Sequence, residues 1–468
     1  MAAILIVLAF MAVFSFKAST KISTTDNKTD YRGFFILALV CLFIKVIAAS
    51  LYYGHSTDMD CFWGWSDMIS EYGFEAFYKS DAFTDYPPGY MYVLYVLGSL
   101  KNIFNISDWL YVILLKIPAI LCDIFTGYII FRLSEKRFSE NSSFLLSGIY
   151  MLNPAVILNS SLWGQVDSIY TLGIILTILM LSEKKLIGSF FAFSVCVFIK
   201  PQSLIFTPVL LFSVIDDCIL GGFDFKRLGK LILGAVGAIF LMVLMALPFG
   251  ILNVLEQYIS TISSYPYLTV NAFNLWGALG QNWTELTPYF SVLSSGFIVI
   301  IVALSARVFF YNKGKERYFM TAAFLCFSTF MLSVKMHDRY AYPAISLLLL
   351  AFVFSKRKDV FRAFTHISMS QFFNTSWVLF IYEKNINFYA DSITIIISSL
   401  INILIFIYVS LILTGFNIPE KFTEVKEHKT KRLTRADYIM VFGIALVYSL
   451  FAFSDLGDFR APKTSAEI

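Results

Sequence analysis

The stretch GFFILALVCLFIKVIAASLYYGHSTDMDCFWGW, residues 33–65, decides the fold. Residues 33–53 are almost wholly apolar, and a helix of about 20 such residues crosses a hydrocarbon layer of roughly 30 Å. Directly after that run come two carboxylates, Asp58 and Asp60, set among Phe62, Trp63 and Trp65. A solvated loop tolerates acids anywhere, but charge at a lipid boundary is placed sparingly, so these two invite a chemical reading. Aromatic neighbours lower the local polarity and tune a carboxylate towards base work. A D-x-D pair alone is a weak signal; its place straight after a membrane span strengthens it.

The same grammar continues along the chain. Its 468 residues are 58% hydrophobic, 18% aromatic and only 15% charged, and the mean hydropathy is +0.72. A soluble domain needs far more polar surface, so the composition is that of a polytopic membrane protein. Apolar runs occur at 2–16, 33–53, 109–132, 143–158, 166–181, 186–200, 203–216, 231–249, 291–310, 318–334, 341–354, 362–381, 391–414 and 437–453. Lipid offers backbone groups no partner, so all are expected to be helices. The expected fold class is an all-α polytopic membrane protein with about 13–14 transmembrane helices.

Charge sets the expected orientation. With 17–32 on the cytoplasmic side, the connectors on that side carry 26 of the 36 basic residues, among them Arg132, Lys136 and Arg137, Lys184 and Lys185, and Lys226, Arg227 and Lys230. That is the positive-inside pattern. The run 2–16 has no basic residue before it and Lys17 after it, which suits an N-out first helix better than a cleaved signal peptide. Of six cysteines, Cys41, Cys122, Cys196 and Cys326 fall within spans, Cys61 alone on the outer face and Cys218 alone in a cytoplasmic loop. No disulfide framework and no metal-ligand spacing follow.

With this topology every polar stretch of odd composition lies outside. The first outer loop, 54–108, holds HSTDMDCFWGW and then TDYPPGYMYVLYVLGSL, where Pro87–Pro88 cannot sit in mid-helix and the run after it reads as a surface-lying or re-entrant helix. LWGQVD (162–167) follows with Trp163, Gln165 and Asp167; rings beside amides and acids are how sugars are held. KPQ (200–202) places a lone Lys200 beside Pro201. The outer loop 250–290 repeats the sugar-like chemistry with Asn271, Asn274, Trp276, Asn282 and Trp283. KMHDRYAYP (335–343) gathers Lys335, His337, Asp338 and Arg339 at one outer helix end. Clustered cations there call for compensation, which an anionic phosphate supplies to an arginine fork. Aromatic-belt and snorkelling roles are the plain alternative for each. The cytoplasmic side shows only short basic connectors, with no P-loop and no dinucleotide fingerprint, so nothing supports ATP-driven transport.

Together these motifs resemble the GT-C class of integral-membrane glycosyltransferases, which use polyprenyl-phosphate sugars. The nearest look is to bacterial proteins similar to GPI mannosyltransferase II and to the dolichyl-phosphate-glucose-dependent glucosyltransferases. In that class an acid of the first extracytoplasmic loop is the catalytic base; TDMDCFWGW matches, with Asp58 in that place and Asp60 as the alternative. DYPP (85–88), with Tyr86, matches the lead into a surface helix; NPAVILNSSLWGQVDS (153–168), FIKPQ (198–202) and MHDRYAYP (336–343) resemble later segments. The likeness covers roughly 33–345. It implies a GT-C fold with surface helices on the first outer loop. It divides the chain into an extra N-terminal helix and linker (1–32), the shared transmembrane module (33–249) and a variable module (250–468).

The resemblance implies inverting transfer of a hexose, mannose or glucose first, from a polyprenyl-phosphate-linked donor to a glycan, glycolipid or protein hydroxyl. The active site would lie on the extracytoplasmic face of the cell membrane. Asp58 or Asp60 would act as base. His337, Arg339 and Lys200 would hold the lipid phosphate, and Trp163, Gln165, Asp167, Tyr86, Asn271 and Asn274 the sugar or acceptor. No cofactor is required; a divalent cation, Mg or Mn, is optional, with Asp58 and Asp60 as its ligands. The partners are the donor lipid, the acceptor and the bilayer, with no nucleic acid. A transporter or flippase of a lipid-linked sugar is the alternative, but it wants midplane charges and a paired repeat. Within the spans mainly Lys45 and Asp123 are charged, and no repeat is visible.

Overall fold

The computed structural model describes residues 2–22, 31–80, 83–222, 224–263, 266–382 and 393–416. The apolar runs become helices: α1 (Ala2–Lys21), α2 (Tyr31–Leu51), α3 (Ser56–Tyr72), α4 (Phe74–Phe77), α5 (Pro88–Phe104), α6 (Asp108–Ser134), α7 (Glu140–Met151) and α8 (Pro154–Ile157). A π turn, Leu158–Trp163, leads to α9 (Asp167–Ser182), α10 (Leu186–Ile199), α11 (Thr207–Val214), α12 (Phe225–Ala246) and α13 (Ile251–Ser263). Then come β1 (Thr269–Val270), α14 (Leu275–Ala278), α15 (Pro288–Tyr311), α16 (Glu316–Leu332), β2 (Met336–His337), α17 (Pro343–Ser355), α18 (Lys358–Trp377) and α19 (Ile393–Thr414).

The chain is an all-α polytopic membrane protein. Helices form at each of the expected runs from 2–16 to 391–414. The run 437–453, the basic residues from Lys421 to Arg435 and the C-terminal tail lie outside the described residues. Among the described residues, six helices are both long and apolar enough to cross a membrane: Tyr31–Leu51, Asp108–Ser134, Pro201–Leu220, Phe225–Phe249, Pro288–Tyr311 and Ile393–Thr414. The pair Glu140–Met151 and Pro154–Trp163, bent by 43°, makes a seventh if counted as one span. The helices Asp167–Ser182, Leu186–Ile199 and Pro343–Ser355 are apolar but shorter.

Burial sorts the helices. α17 is hydrophobic all round and buried from Pro343 to Val353, so it runs through the middle of the bundle. α12 shows the reverse: Ile232, Leu233, Val236, Ile239 and Phe240 are all exposed, as on a lipid-facing rim. The large core joins α2, α6, α7, α9, α16, α17 and α18, so the segment after 250 packs into the segment before it.

The first outer loop carries helices, with the one after Pro87 at the expected place. HSTDMDCFWGW starts α3, with Asp58 in the first turn, where the helix dipole favours a carboxylate. After Pro87, Pro88 occupies the first turn of α5, a position that needs no N–H. α3 packs along α5, with the Ser66 hydroxyl donating to Leu94 O at 2.8 Å. Residues 54–108 thereby gather a second apolar cluster, including Met59, Phe62, Trp65, Tyr90 and Leu94.

At the other end, the basic connectors meet acids: Lys184 pairs with Asp217, Arg317 with Asp216, and Lys315 with Glu183 at 3.5 Å. Lys116 corrects the sequence reading, which left it out of the charges within spans. It sits inside α6, fully buried, and donates to Ala49 O at 3.2 Å and Tyr52 O at 2.6 Å at the end of α2.

Two glycines let this end of α2 close. Gly54 (φ +126°) and Gly164 (φ +89°) both stand against Met59, and a Cβ at Gly164 would strike its thioether. His55 N–H donates to Trp163 O at 3.0 Å across the same junction. Gly164→Ala combines a left-handed φ with a core clash, so it should cost about 1–3 kcal/mol. The midpoint of thermal unfolding in detergent checks this; an unchanged midpoint would contradict it.

Candidate functional site

Three separate segments meet around one carboxylate. The π turn carries one residue more than an α turn, and it ends at Gly164 in the left-handed region. That turn delivers the buried Trp163, whose Nε1–H donates to Asp58 Oδ2 at 2.6 Å. From the turn between α16 and α17, Arg339 reaches Asp58 Oδ1 at 3.5 Å. From the start of α3, His55 stands 3.7 Å from the same carboxylate and stacks on Trp163 with centroids 4.7 Å apart and planes at 4°. Arg339 lies over the Trp163 ring at 5.4 Å. Asp58 keeps 19% of its side-chain surface exposed, so the carboxylate is reachable.

Burial alone would raise the Asp58 carboxyl. Arg339, His55 and the Trp163 hydrogen bond outweigh it and hold the group well below the usual carboxylate range. Asp60, the alternative, accepts from the Tyr53 hydroxyl at 2.6 Å. It sits two residues further along a helix, so it points to a different side. Among the described residues no three His, Cys, Asp or Glu side chains gather as a metal site would require.

Beside this group lies a buried ion pair. Lys200 donates to Asp167 Oδ1, and Asn159 Nδ2 donates to Asp167 Oδ2 at 3.0 Å. The Lys200 ammonium is ringed by Tyr170, Tyr86 and Tyr340 at 5.6, 5.7 and 5.9 Å. Burial pulls its pKa down from the ordinary lysine value, with Asp167 opposing. The Tyr86 hydroxyl donates to Gln165 Oε1 at 3.3 Å, so DYPP joins the same cluster.

His337 and Asp338 complete the wall. β2 pairs in parallel with β1, Val270 against His337, which docks the 266–287 loop on this turn. Gln371 and Asn374 of α18 brace both, donating to Asp338 O at 3.0 Å and Asn271 O at 2.7 Å. Burial pushes His337 down to about 3 and Asp338 up to about 7.

The structure thus brings together Asp58, Trp163, Gln165, Asp167, Lys200, Tyr86, His337 and Arg339. It does not bring in Asn271 or Asn274. The Asn271 side-chain oxygen accepts from Asn282 at 3.0 Å and Trp283 at 3.1 Å, while Asn274 caps α14 and donates to Phe330 O. Both shape the 266–287 loop rather than face the cluster. Sequence reasoning missed Asn159, Tyr170, Tyr340 and Gln202. Tyr170 lies three residues after Asp167 on α9, and helical spacing from a known acid would have found it.

Among the described residues, five buried polar atoms here have no hydrogen-bond partner: His55 Nδ1, Asn159 Oδ1, Gln202 Oε1, Asp338 Oδ2 and Arg339 Nε. Orphaned polar atoms also occur elsewhere in the bundle, at Thr126, Ser213 and Ser399 among others, but those here lie around a carboxylate that is reachable from outside. No protein-family model matches the chain, and no curated protein matches its sequence.

The two opposed shifts give a pH test. Neutral Asp338, raised from 3.8 to about 7, contributes stability that is lost as pH rises through 4–7. Neutral His337, lowered from 6.5 to about 3, makes stability grow as pH rises through 3–6.5. In the wild type the two slopes oppose each other. Asp338→Asn removes the first, so its unfolding midpoint should climb between about pH 4 and 6.5 more steeply than the wild type's. Parallel midpoint curves for the two proteins would contradict this.

Proposed function

We propose that the protein is an inverting membrane glycosyltransferase, moving a hexose from a polyprenyl-phosphate donor to an acceptor hydroxyl. The observation that carries the reading is the meeting of Asp58 with Arg339 and Lys200 among partnerless amide and imidazole atoms. A reachable carboxylate with the Arg339 guanidinium beside it, and the Lys200 ammonium held next to them by Asp167, offer a base and two cations to an anionic sugar donor and a hydroxyl acceptor.

In this reading the acceptor oxygen bonds to the anomeric carbon as that carbon's bond to the phosphate oxygen breaks. The bonding pair leaves with the polyprenyl phosphate, and the hydroxyl proton passes to Asp58. The donor phosphodiester carries one negative charge and leaves as a monoester with more, so cations beside it stabilise the transition state more than the ground state. Arg339 Nε and Lys200 are those cations. While Arg339 is paired with Asp58, the carboxylate is a weak base. Engagement of Arg339 by phosphate would loosen that pair and raise the proton affinity of Asp58 as the donor binds. Trp163, covered by His55 on its ring and with Arg339 over it, orients both, and His55, with 21% of its side-chain surface exposed, presents a ring face to the sugar. A GT-C arrangement of 13–14 crossings, with this site on the extracytoplasmic face of the cell membrane, accords with the basic connectors at the opposite end.

The test uses purified protein in detergent, a short-chain polyprenyl phosphate carrying radiolabelled mannose or glucose, and a membrane extract as acceptor. Asp58→Asn should lower transfer about 10²–10⁴-fold with normal expression. Donor binding without transfer by the wild type would overturn the reading in favour of transport, and a fully active Asp58→Asn would remove Asp58 as base.

A further inference from the structure

Deeper in the bundle lies a charged group that the proposed reaction does not use. Lys45 of α2 and Asp123 of α6 pair at 2.8 Å, both with no side-chain exposure. Asp123 Oδ1 also accepts from the Ser168 hydroxyl at 2.6 Å and the Tyr342 hydroxyl at 2.9 Å, with the Tyr150 hydroxyl at 3.5 Å. Ser168 and Tyr342 are bonded to each other at 2.8 Å, and Lys45 reaches the Ser160 hydroxyl at 3.2 Å. All six residues are buried.

The sequence positions of these partners give the cluster its meaning. Ser168 directly follows Asp167, Tyr342 lies three residues after Arg339, and Ser160 lies three before Trp163 in the π turn. Lys45 is on α2, whose end feeds His55 and Asp58. One carboxylate therefore bonds, directly or through Lys45, to the elements that supply Trp163, Asp167 and Arg339, and to α2, whose end leads to Asp58; the segments that carry Lys200 and Tyr86 stand outside this network. An ion pair in a membrane interior is costly, and apolar residues of similar size often stabilise as well or better. Stability alone gives this pair little reason to exist.

We propose that Asp123 and Lys45 are positioning residues, which fix Trp163, Asp167 and Arg339 relative to Asp58 through one shared hydrogen-bond network. The kinetic part of this rests on the transfer reaction proposed above; the structural part does not. Misplacing a reacting group by about 1 Å costs on the order of 10²-fold in rate, so a loosened network should show in turnover before it shows in stability.

Three variants test it, each labelled with 5-fluorotryptophan, with the Trp163 resonance assigned by its loss in Trp163→Phe. Lys45→Met with Asp123→Leu removes charge and hydrogen bonds at similar volume. It should keep the thermal midpoint and the KM for labelled donor, lower kcat about tenfold or more, and broaden or split the Trp163 fluorine signal. Lys45→Gln with Asp123→Asn keeps the hydrogen bonds without the charges and should recover most of both losses. Tyr342→Phe leaves the ion pair intact and decides the matter if the apolar pair does not fold: it should shift the Trp163 signal and lower kcat about threefold or more. An apolar pair, or a Tyr342→Phe protein, with wild-type kcat and an unchanged Trp163 signal would overturn the proposal. If the wild type transfers nothing, the transfer reading falls and the fluorine signal alone decides the positioning role.

Discussion

A charge buried in an apolar bundle must be answered by another charge or by hydrogen bonds, and this constraint organises the molecule. Lys45 with Asp123, Lys200 with Asp167, and Arg339 with Asp58 each join residues more than thirty positions apart. Each pair ties two helices or turns that apolar packing alone would leave free to slide. Leaving one member of such a pair unanswered costs several kcal/mol, so register and depth are fixed together. The apolar packing supplies the bulk of the attraction, and the ion pairs select which arrangement it takes.

The consequence for the site is a graded environment. Asp123 is sealed in the core, Asp167 is buried beside a tyrosine-ringed lysine, and Asp58 keeps a window to the outside. Ser168, adjacent to Asp167, links the first level to the second. The reachable carboxylate thus rests on two unreachable ones, so its position is set from within the bundle.

Much of this was legible in the sequence because lipid is a strict solvent. Runs of apolar residues had to be helices, and the few polar residues at their ends had to be answered. Asp58, Trp163, Lys200 and Arg339 stood out for that reason, and they converge. What the sequence concealed was of two kinds. HSTDMDCFWGW reads as acids among aromatics and not as the start of a helix, although Met59, Phe62, Trp63, Ser66 and Ile69 follow helical spacing and are among the residues that α3 buries. Asn271 and Asn274 carry the same amide groups as Gln165, but their own loop satisfies them first. Composition cannot tell an amide that greets a ligand from one that closes a turn; only its partners can. Lys116 was overlooked for a related reason: its partners are backbone carbonyls at a helix end, which no residue pattern announces.

The π turn at Leu158–Trp163 carries a last implication. It holds one residue more than the α-helical path between the same points, and a helix turns by about 100° per residue. Loss of that one residue would relax the segment into an ordinary helix and swing the indole away from the carboxylate, with every other residue of the site still present. The stretch from Asn153 to Asp167 is therefore length-critical as well as tightly packed: a single insertion or deletion would misdirect Trp163 even with every side chain kept.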